Sequence, residues 1–455
     1  MTKSITLEKR RSPRLMASAA GSTILLLGLA ACAPAGDSSA GDESTAPASD
    51  TVEVPAEFQA AIDWRQFEGE TLDLGAQTHP WMNAMDELIP HFEELPGITV
   101  NYELLGEDVA VTQIQQQLSA GSSTPDVFMV NAIGQAAASG WLEPLDGYIS
   151  NPELTDPAWY DIEGIFPASR DFATFDGELL AMPITAEVQV LFVRNDLVPT
   201  PPTTMDELLE SAKAVTSGDV YGFSSRGIGT GSETPWPLGG FTFSAGGQYL
   251  DADGQPVLNN PENVAALETY AELLNEVAPP GAAGWAWAEN LAAMEAGTLA
   301  MWTDSSGFTP GLNAAYGDSL SVVPLPSIDG SSVPNVWFWT IGINSKSEKK
   351  DAAWLFVQWA TSTPVTIASQ VHVTTARDAA WADATANEAI GLENAASISG
   401  ILSAADSRPM ALAWQNANWP AVADALARAA NSVISGADAK TELDAAQEAA
   451  LQAVN

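Results

Sequence analysis

The sequence predicts an α/β fold in two domains. Between residues 71 and 131, segments with strand and helix patterns alternate in the order strand, helix, strand, helix, strand. That order is typical of βαβ units around a parallel sheet with both faces covered. A leader is predicted over residues 1–31, and its removal leaves 424 of the 455 residues. This length exceeds the usual size of one hydrophobic core and indicates two domains.

The first βαβ units follow from the spacing of apolar residues. A strand at residues 71–74 precedes a helix whose apolar residues recur three and four positions apart, up to Phe92. Residues 98–104 then alternate between apolar and polar, which indicates a strand with one buried face. A second helix around residues 111–118 ends before Gly121, and the apolar run at residues 127–130 is a short buried strand.

The second half of the chain continues the α/β pattern. A strand is predicted within residues 181–197, and Thr204 with Glu207 forms a capping box that begins a helix. Three further helical stretches are predicted, at residues 261–277, 353–360 and 419–454, the last broken at Gly436. Helices and strands therefore extend through the whole region that follows the leader.

The start of the chain resembles a bacterial lipoprotein signal. A basic segment precedes a short apolar run from Ser22 to Ala31, as in a secretory signal. Leu29-Ala30-Ala31-Cys32 resembles the lipobox, which implies cleavage before Cys32, diacylglycerol on its sulfur and attachment to the membrane. Residues 32–62 are predicted to be a flexible tether, because the composition that follows Cys32 is rich in Ser, Ala, Gly, Asp and Pro.

Charge and composition exclude several classes of protein. The chain carries 17 basic and 58 acidic residues, a net charge of −41, so it repels phosphate backbones and we expect no nucleic-acid partner. A single cysteine permits no disulfide within the chain, and the three histidines lie far apart in sequence. We therefore expect no metal site and no cofactor.

No catalytic motif stands out, so we assign no catalytic residue. G-x-S-x-G is absent, and the glycines at residues 227–231 are not followed by the lysine of a phosphate-binding loop. Paired carboxylates could serve glycoside hydrolysis, but 58 acidic residues produce close pairs by chance. A surface-anchored glycoside hydrolase remains the alternative function, and an adhesion or scaffold lipoprotein is a third.

The fifteen tryptophans suggest a carbohydrate ligand. A flat indole stacks on the C–H face of a sugar or polyol, while packing in the core is the alternative explanation for each ring. The tryptophans in predicted loops are the candidates for ligand contact: Trp236, Trp285, Trp287, Trp337 and Trp339. Trp81 and Asn131 are added because each lies just past a strand end, where ligands of such sheets usually sit.

Six stretches in a fixed order resemble one family over nearly the whole chain. They are 86-DELIPHFEELPGITVNYELL-105, 119-SAGSSTPDVFMV-130, 177-GELLAMPITAEVQVLFVRNDLV-198, 201-PPTTMDELLESAK-213, 296-AGTLAMWTDSS-306 and 341-IGINSKSEKKDAAWLFVQWATS-362. The chain thereby resembles the extracellular solute-binding proteins of ABC importers, family 1, and within it the binders of sorbitol and mannitol. The resemblance implies a lipid-anchored, monomeric binding protein on the outer face of the membrane. It would pass a sugar or polyol to the transmembrane subunits of an ABC permease, without catalysis.

The same resemblance implies a two-lobed periplasmic-binding-protein fold of type II, the Venus-flytrap architecture. The chain would cross between lobes near residues 184–188, 303–308 and 358–364. These crossings divide it into lobe I at residues 63–185 and 307–360, and lobe II at residues 186–306 and 361–455. The ligand would bind in the cleft between the lobes.

Four charged residues receive roles from the resemblance. It implies that Glu187 contacts the ligand just after the first crossing, that Arg226 binds hydroxyls, and that Asp304 accepts hydrogen bonds from them. Arg377 falls where sorbitol and mannitol binders often have an arginine in the pocket. The Val336-Trp-Phe-Trp339 segment departs from the Gly-Gly-Trp of many relatives, which leaves the identity of the sugar open.

Overall fold

Two five-stranded β-sheets organise the part of the chain that the computed structural model describes, residues 55–130, 132–406 and 408–454. The predicted signal at residues 1–31, Cys32 and Asn131 lie outside the described residues. The strands are β1 Thr71–Gly75, β2 Thr99–Tyr102, β3 Val127–Val130, β4 Thr174–Phe175, β5 Glu178–Leu179, β6 Met182–Pro183, β7 Glu187–Arg194, β8 Tyr221–Ser224, β9 Leu299–Ser305, β10 Leu320–Pro324, β11 Val336–Trp337 and β12 Thr340–Ile343.

Helices surround both sheets. They are α1 Pro80–Glu94, α2 Glu107–Ser119, α3 Ile133–Ala138, α4 Asp146–Ile149, α5 Pro157–Tyr160, α6 Pro167–Phe172, α7 Met205–Val215, α8 Pro235–Ser244, α9 Pro261–Val277, α10 Trp287–Glu295, α11 Thr309–Tyr316, α12 Lys350–Ala360, α13 Thr363–Ser369, α14 Asp378–Ala382, α15 Ala384–Ile390, α16 Leu392–Ala404, α17 Arg408–Trp414, α18 Trp419–Ile434 and α19 Ala439–Val454. The described helices include none that is long and apolar enough to cross a membrane.

The first sheet has the strand order β2-β1-β3-β12-β6. Strand β1 pairs in parallel with β2 and β3, and β12 runs antiparallel to both β3 and β6. All four residues of β3 are buried, as expected for a central strand with helices on both faces. The predicted succession of strands and helices over residues 71–131 is therefore confirmed.

The second sheet has the order β10-β7-β9-β8, with β11 pairing to the start of β7. All residues from Glu187 to Val193 are buried, and most of them are apolar, which places β7 at the centre of this sheet. Strand β9 runs antiparallel to β7 and parallel to β8. The two sheets, each with its own helices, give the two-lobed α/β fold that the sequence predicts.

Local signals set several helix boundaries. Thr204 caps α7, because its Oγ1 accepts a hydrogen bond from the backbone N–H of Glu207 at 3.2 Å. The Glu207 carboxylate reaches back to the N–H of Thr203 at 2.8 Å, one residue before the position that the capping box predicts. Gly436 separates α18 from α19 with a φ of 103°, a left-handed backbone that favours glycine.

Two segments that cross between the sheets lie side by side, with Thr374 next to them. Residues 184–186 connect β6 to β7, and residues 338–339 connect β11 to β12. The backbone N–H of Ile184 donates to the carbonyl of Trp339 at 2.8 Å, and that of Ala186 donates to the carbonyl of Thr374 at 3.1 Å. After Thr374 the chain contacts the first lobe again, because the carbonyl of Ala376 accepts from the N–H of Phe166 at 2.9 Å. The third crossing therefore comes after residue 377 and before α15, which packs against α11 of the second lobe.

Two of the predicted crossings need correction. The chain does not leave the second sheet near residues 303–308, because Leu320–Pro324 pairs antiparallel with β7 and Val336–Trp337 also pairs with it. Residues 307–337 thus belong with lobe II. The third crossing comes after residue 369 rather than at 358–364, because α12 and α13 both pack against α1 of the first lobe.

The predicted tether also ends earlier than expected. Within the proposed range 32–62, Ala56–Phe58 forms a short 3₁₀ helix, and Phe58 is buried. The ring of Phe58 packs edge-on against Trp64 at 5.3 Å and stacks on Trp359 at 6.5 Å. Residues from about 56 onward are therefore part of the folded domain, because an aromatic anchor holds them to the first lobe.

Candidate ligand-binding cleft

A cavity of about 40 Å³ lies where the two lobes face each other. The beginnings of α1 and α2 form its wall on the first lobe, and the ends of β8 and β9 with the starts of α8 and α10 form the opposite wall. The lining residues are His79, Pro80, Glu107, Glu187, Arg226, Ser232, Trp236, Trp287, Ser305, Phe308, Trp337, Trp339 and Trp414. This mixture of aromatic and polar groups is typical of a site for a small organic ligand.

On the first lobe, two helix N-termini present polar side chains to the cavity. His79 caps α1, and its Nδ1 accepts a hydrogen bond from the backbone N–H of Trp81 at 3.1 Å. The neutral ring therefore carries its proton on Nε2, which points toward the second lobe. Glu107 is the first residue of α2 and hydrogen-bonds to Trp287 of the second lobe.

On the second lobe, Arg226 is held by two buried carboxylates. Its Nε and Nη2 donate to the two oxygens of Asp304 at 2.9 and 2.5 Å, and its Nη1 donates to Glu233 at 3.1 Å. The guanidinium also lies 5.5 Å from the ring of Trp236. Burial opposes the charge of Arg226, but the carboxylates of Asp304 and Glu233 outweigh this effect and raise its pKa.

Glu187 is the buried carboxylate that begins β7. Its Oε2 accepts a very short hydrogen bond from Ser305, while its Oε1 has no hydrogen-bond partner among the described residues. His79 Nε2 lies 3.7 Å from that oxygen, across the cleft. A buried acceptor without a partner is a natural contact for a ligand, because leaving it unpaired costs about 1–3 kcal/mol.

Five indoles line the cavity. Trp337 packs edge-on against Trp339 at 5.6 Å and against Trp414 at 4.3 Å. On the other side, Trp287 stacks on Phe308 with ring centroids 5.4 Å apart. The aromatic rings thus support one another in fixed orientations, which preorganises flat apolar surfaces around the ligand volume.

The electrostatics of the cleft disfavour isolated charge. Burial raises the pKa of Glu187 to about 7, and burial together with the nearby Arg226 lowers that of His79 to about 3. Burial likewise raises the pKa of Glu233 to about 7. Burial and the Glu233 carboxylate raise the pKa of Glu107. At neutral pH, His79 is therefore uncharged, and the carboxyl groups of Glu187 and Glu233 exchange protons with the solvent near pH 7.

Six of the residues proposed from sequence line this cavity: Glu187, Arg226, Trp236, Trp287, Trp337 and Trp339. Trp285, only partly buried, lies beside it and packs against the core. Asn131 lies outside the described residues. No group of three metal-ligating side chains occurs among the residues that the structure describes.

Three other proposed residues have different contacts. Trp81, in the first turn of α1, is buried in the core. Asp304 is completely buried behind Arg226, so it positions the guanidinium and is not exposed to the ligand volume. Arg377 donates to the backbone carbonyls of Thr361, Asp161 and Tyr160 at 2.6 to 2.9 Å, and does not line the cavity.

Sequence reasoning did not select seven of the lining residues: His79, Pro80, Glu107, Ser232, Ser305, Phe308 and Trp414. His79 lies four residues past the end of β1 and caps α1, so its position beyond a strand end was a usable signal. Ser305 ends β9, next to the proposed Asp304. Trp414 gave no local signal, because only the tertiary fold brings it to Trp337.

Comparison with known proteins identifies the family. A model of the family described as bacterial extracellular solute-binding protein matches residues 75–367. The chain belongs to this family. Among its relatives, an erythritol/L-threitol-binding protein of Mycolicibacterium smegmatis is 28% identical over 338 residues, covering 67% of this solute-binding protein and 69% of the relative. A mannitol-binding protein of Pseudomonas aeruginosa is 28% identical over 310 residues, with coverage of 64% and 69%.

Solved structures agree with this assignment. A solute-binding protein of an ABC transporter from Agrobacterium radiobacter K84, in complex with ribitol, has a TM-score of 0.76 and 25% identity. The alignment covers 85% of this solute-binding protein and 99% of that chain. A second, from Agrobacterium vitis S4 with bound D-mannitol, has a TM-score of 0.76 and 24% identity, with coverage of 85% and 98%. The two-lobed fold is therefore shared along nearly the whole length of these proteins.

Proposed function

We propose that this protein is the membrane-anchored, extracellular solute-binding subunit of an ABC importer, and that it captures a sugar or sugar alcohol in the cleft between its lobes. The observation that carries the proposal is the cavity itself. Five indoles surround buried polar groups that converge from both lobes. Relatives that bind erythritol, L-threitol and mannitol, and structures that hold ribitol and mannitol, support the polyol class.

The indoles supply the apolar half of recognition. Their faces match the C–H faces of a sugar or an extended polyol, and their mutual packing limits the entropy lost on binding. The polar half comes from buried groups that have no hydrogen-bond partner in the described part of the chain: Glu187 Oε1 as an acceptor, and the indole N–H groups of Trp236 and Trp414 as donors. A polyol with alternating donors and acceptors satisfies such a set, because each hydroxyl both donates and accepts.

Ligand binding closes the cleft in this proposal. The Ser232 hydroxyl donates to Asp108 at 2.7 Å, joining the loop before α8 to the start of α2. Contacts of this kind form only when the lobes approach, so a ligand that touches both walls shifts the population toward the closed form. The closed monomer then docks on the transmembrane subunits of the permease. Acyl groups on Cys32 keep it at the outer face of the membrane.

A thermal-shift screen tests the proposed function. Mono-, di- and oligosaccharides and C4 to C6 polyols are titrated against the purified mature protein, and hits are measured by calorimetry. A ligand at about 100 times its Kd should add about 2.7 kcal/mol to the free energy of unfolding. Incubation of each hit with the protein, followed by chromatography, tests for turnover. A screen without any stabilising sugar or polyol contradicts the proposal, and products of hydrolysis favour the glycosidase alternative.

A further inference from the structure

The charged residues of the cavity wall are mainly acidic. Glu107, Glu187 and Arg226 line it, together with His79, whose ring is neutral at pH 7. Hydrogen bonds to Asp304 and Glu233, two carboxylates behind the wall, engage all three nitrogens of Arg226 and hold its guanidinium on that side. The guanidinium therefore does not pair with the Oε1 atom of Glu187, which has no hydrogen-bond partner within the described chain.

Glu187 lines the ligand volume with an oxygen that has no hydrogen-bond partner among the described residues. The residue is only 5% exposed, and its Oε1 has no hydrogen-bond partner within the described chain. The nearest group that could carry a positive charge is His79 Nε2, at 3.7 Å, which is beyond hydrogen-bonding distance. A carboxylate buried in this way is stabilised by a charged donor, because isolated buried charge is strongly disfavoured.

The aromatic wall also suits a cation. An indole face attracts positive charge through its quadrupole, and Arg226 already lies 5.5 Å from the ring centroid of Trp236. Trp287 and Trp339 belong to the same cavity as Glu107 and Glu187. Indole faces combined with carboxylates are the usual surroundings of a bound ammonium group in proteins.

We propose that the ligand is a sugar or polyol that carries a protonated amino group, with Glu187 Oε1 and the indole faces as the site of that ammonium. This inference rests on the proposed function and specifies the class of its ligand. An ammonium presents three donors and no acceptor, so it complements a wall whose excess groups are acceptors. The remaining hydroxyls of the ligand bind the indole N–H groups of Trp236 and Trp414.

A neutral hydroxyl would satisfy Glu187 less well. It donates one hydrogen bond but leaves the negative charge in a cleft that loses water on closure. Without a cation, the carboxyls must take up protons, and burial indeed raises the pKa of Glu187 to about 7. An ammonium ligand replaces those protons, so its binding at pH 7 should release protons to the buffer, whereas a neutral polyol should not.

Matched pairs of ligands test the proposal by calorimetry at pH 7. D-glucosamine is compared with D-glucose, D-galactosamine with D-galactose, and 1-amino-1-deoxy-D-glucitol with D-glucitol. The best amine should bind at least tenfold more tightly than its neutral partner. Its apparent enthalpy should also change between buffers of different ionisation enthalpy, as proton release requires. Glu187→Gln should reduce the preference for the amine, while Glu163→Gln, at an exposed position, should preserve it.

The outcomes separate this inference from the proposed function. If the neutral partners bind as tightly as the amines or more tightly, the ammonium site is refuted while a sugar-binding protein remains. If neither amines nor neutral sugars and polyols bind, the proposed function fails, and this inference fails with it. A preference for amines that persists unchanged in Glu187→Gln contradicts the assignment of that carboxylate.

Discussion

Arg226 and Asp304 form a bidentate pair at the base of the cleft, with nitrogen–oxygen distances of 2.9 and 2.5 Å and Asp304 fully buried. The planar guanidinium fits the carboxylate edge to edge, and Glu233 holds its remaining side at 3.1 Å. This pairing fixes the position of the ring of Trp236, over which the guanidinium lies. The wall of the cavity and the stability of the second lobe therefore depend on the same charges.

Arg226→Met should strongly destabilise the protein. The substitution leaves Asp304 and Glu233 buried without their cation, and breaking such a buried network costs about 3–5 kcal/mol. The free energy of unfolding from urea titration at pH 7 measures the effect. Lys440→Met, which removes an exposed ion pair on α19, is the matched control and should leave the urea midpoint unchanged. Equal midpoints for both variants would contradict the structural role of Arg226.

Arg377→Met should destabilise the fold without altering ligand recognition. Its three donors bind backbone carbonyls in the interior, and the loss leaves those carbonyls unsatisfied at a cost of more than about 2 kcal/mol. Urea unfolding measures the stability, and calorimetry below the unfolding transition measures the affinity for the best ligand. A large loss of affinity in the folded variant would instead show that Arg377 contributes to ligand binding.

Trp287→Ala should weaken binding of the best ligand by more than about tenfold, because a lining indole contributes much of the contact area. Trp285→Ala removes an indole two residues away that does not line the cavity, and it should leave the affinity within a factor of about two. Calorimetry on both variants makes the comparison, with circular dichroism to verify folding. Similar losses in the two variants would mean that the effect is structural.

The pH dependence of stability should reveal the titration of Glu187. Its pKa is raised from 4.5 to about 7 in the folded state, so its contribution is fully present below pH 4.5 and is lost as pH rises toward 7. His79, lowered from 6.5 to about 3, acts in the opposite sense and loses stability as pH falls below 6.5. Glu187→Gln should therefore gain up to about 3 kcal/mol relative to the wild type between pH 4.5 and 8.

Urea unfolding at half-unit pH intervals supplies the two curves. Their difference isolates Glu187, because Glu233 and His79 titrate in both proteins. A constant difference between the variant and the wild type across this range would show that the Glu187 carboxyl does not titrate there.

Cys32→Ser should release the protein from membranes. The substitution removes the sulfur that the lipobox-like Leu29-Ala30-Ala31-Cys32 presents for acylation. Expression in a lipoprotein-processing host, followed by separation of membrane and soluble fractions, measures the effect, with ligand binding as the control for folding. Retention of the variant in the membrane fraction would contradict the lipid anchor.

Local sequence patterns predicted the helices well. Pro261–Val277 has the bounds expected from its apolar spacing, because Asn260 caps it and Pro261 suits its first turn. The crossings were harder to predict. Strand β10 stays in the second sheet through its pairing with β7, more than 120 residues earlier in the chain, and no local pattern records such a partner.

The candidate site was predictable only where local sequence patterns mark its residues. Paired tryptophans in loops marked Trp287 and Trp339, whereas Trp414 joins them only through tertiary packing. A buried arginine presents a different problem. The sequence around Arg377 does not indicate whether its donors meet a ligand or backbone carbonyls, and here they meet carbonyls.

The segment that returns the chain to the first sheet carries two of the indoles of the cleft. Trp337 ends β11, and the carbonyl of Trp339 accepts the hydrogen bond from Ile184 that ties two crossing strands together. Any rotation of one lobe against the other must turn these rings as well. One piece of backbone thus forms part of the connection between the lobes and carries two rings of the cavity wall, so in the proposed function a solute that touches these rings also touches the hinge.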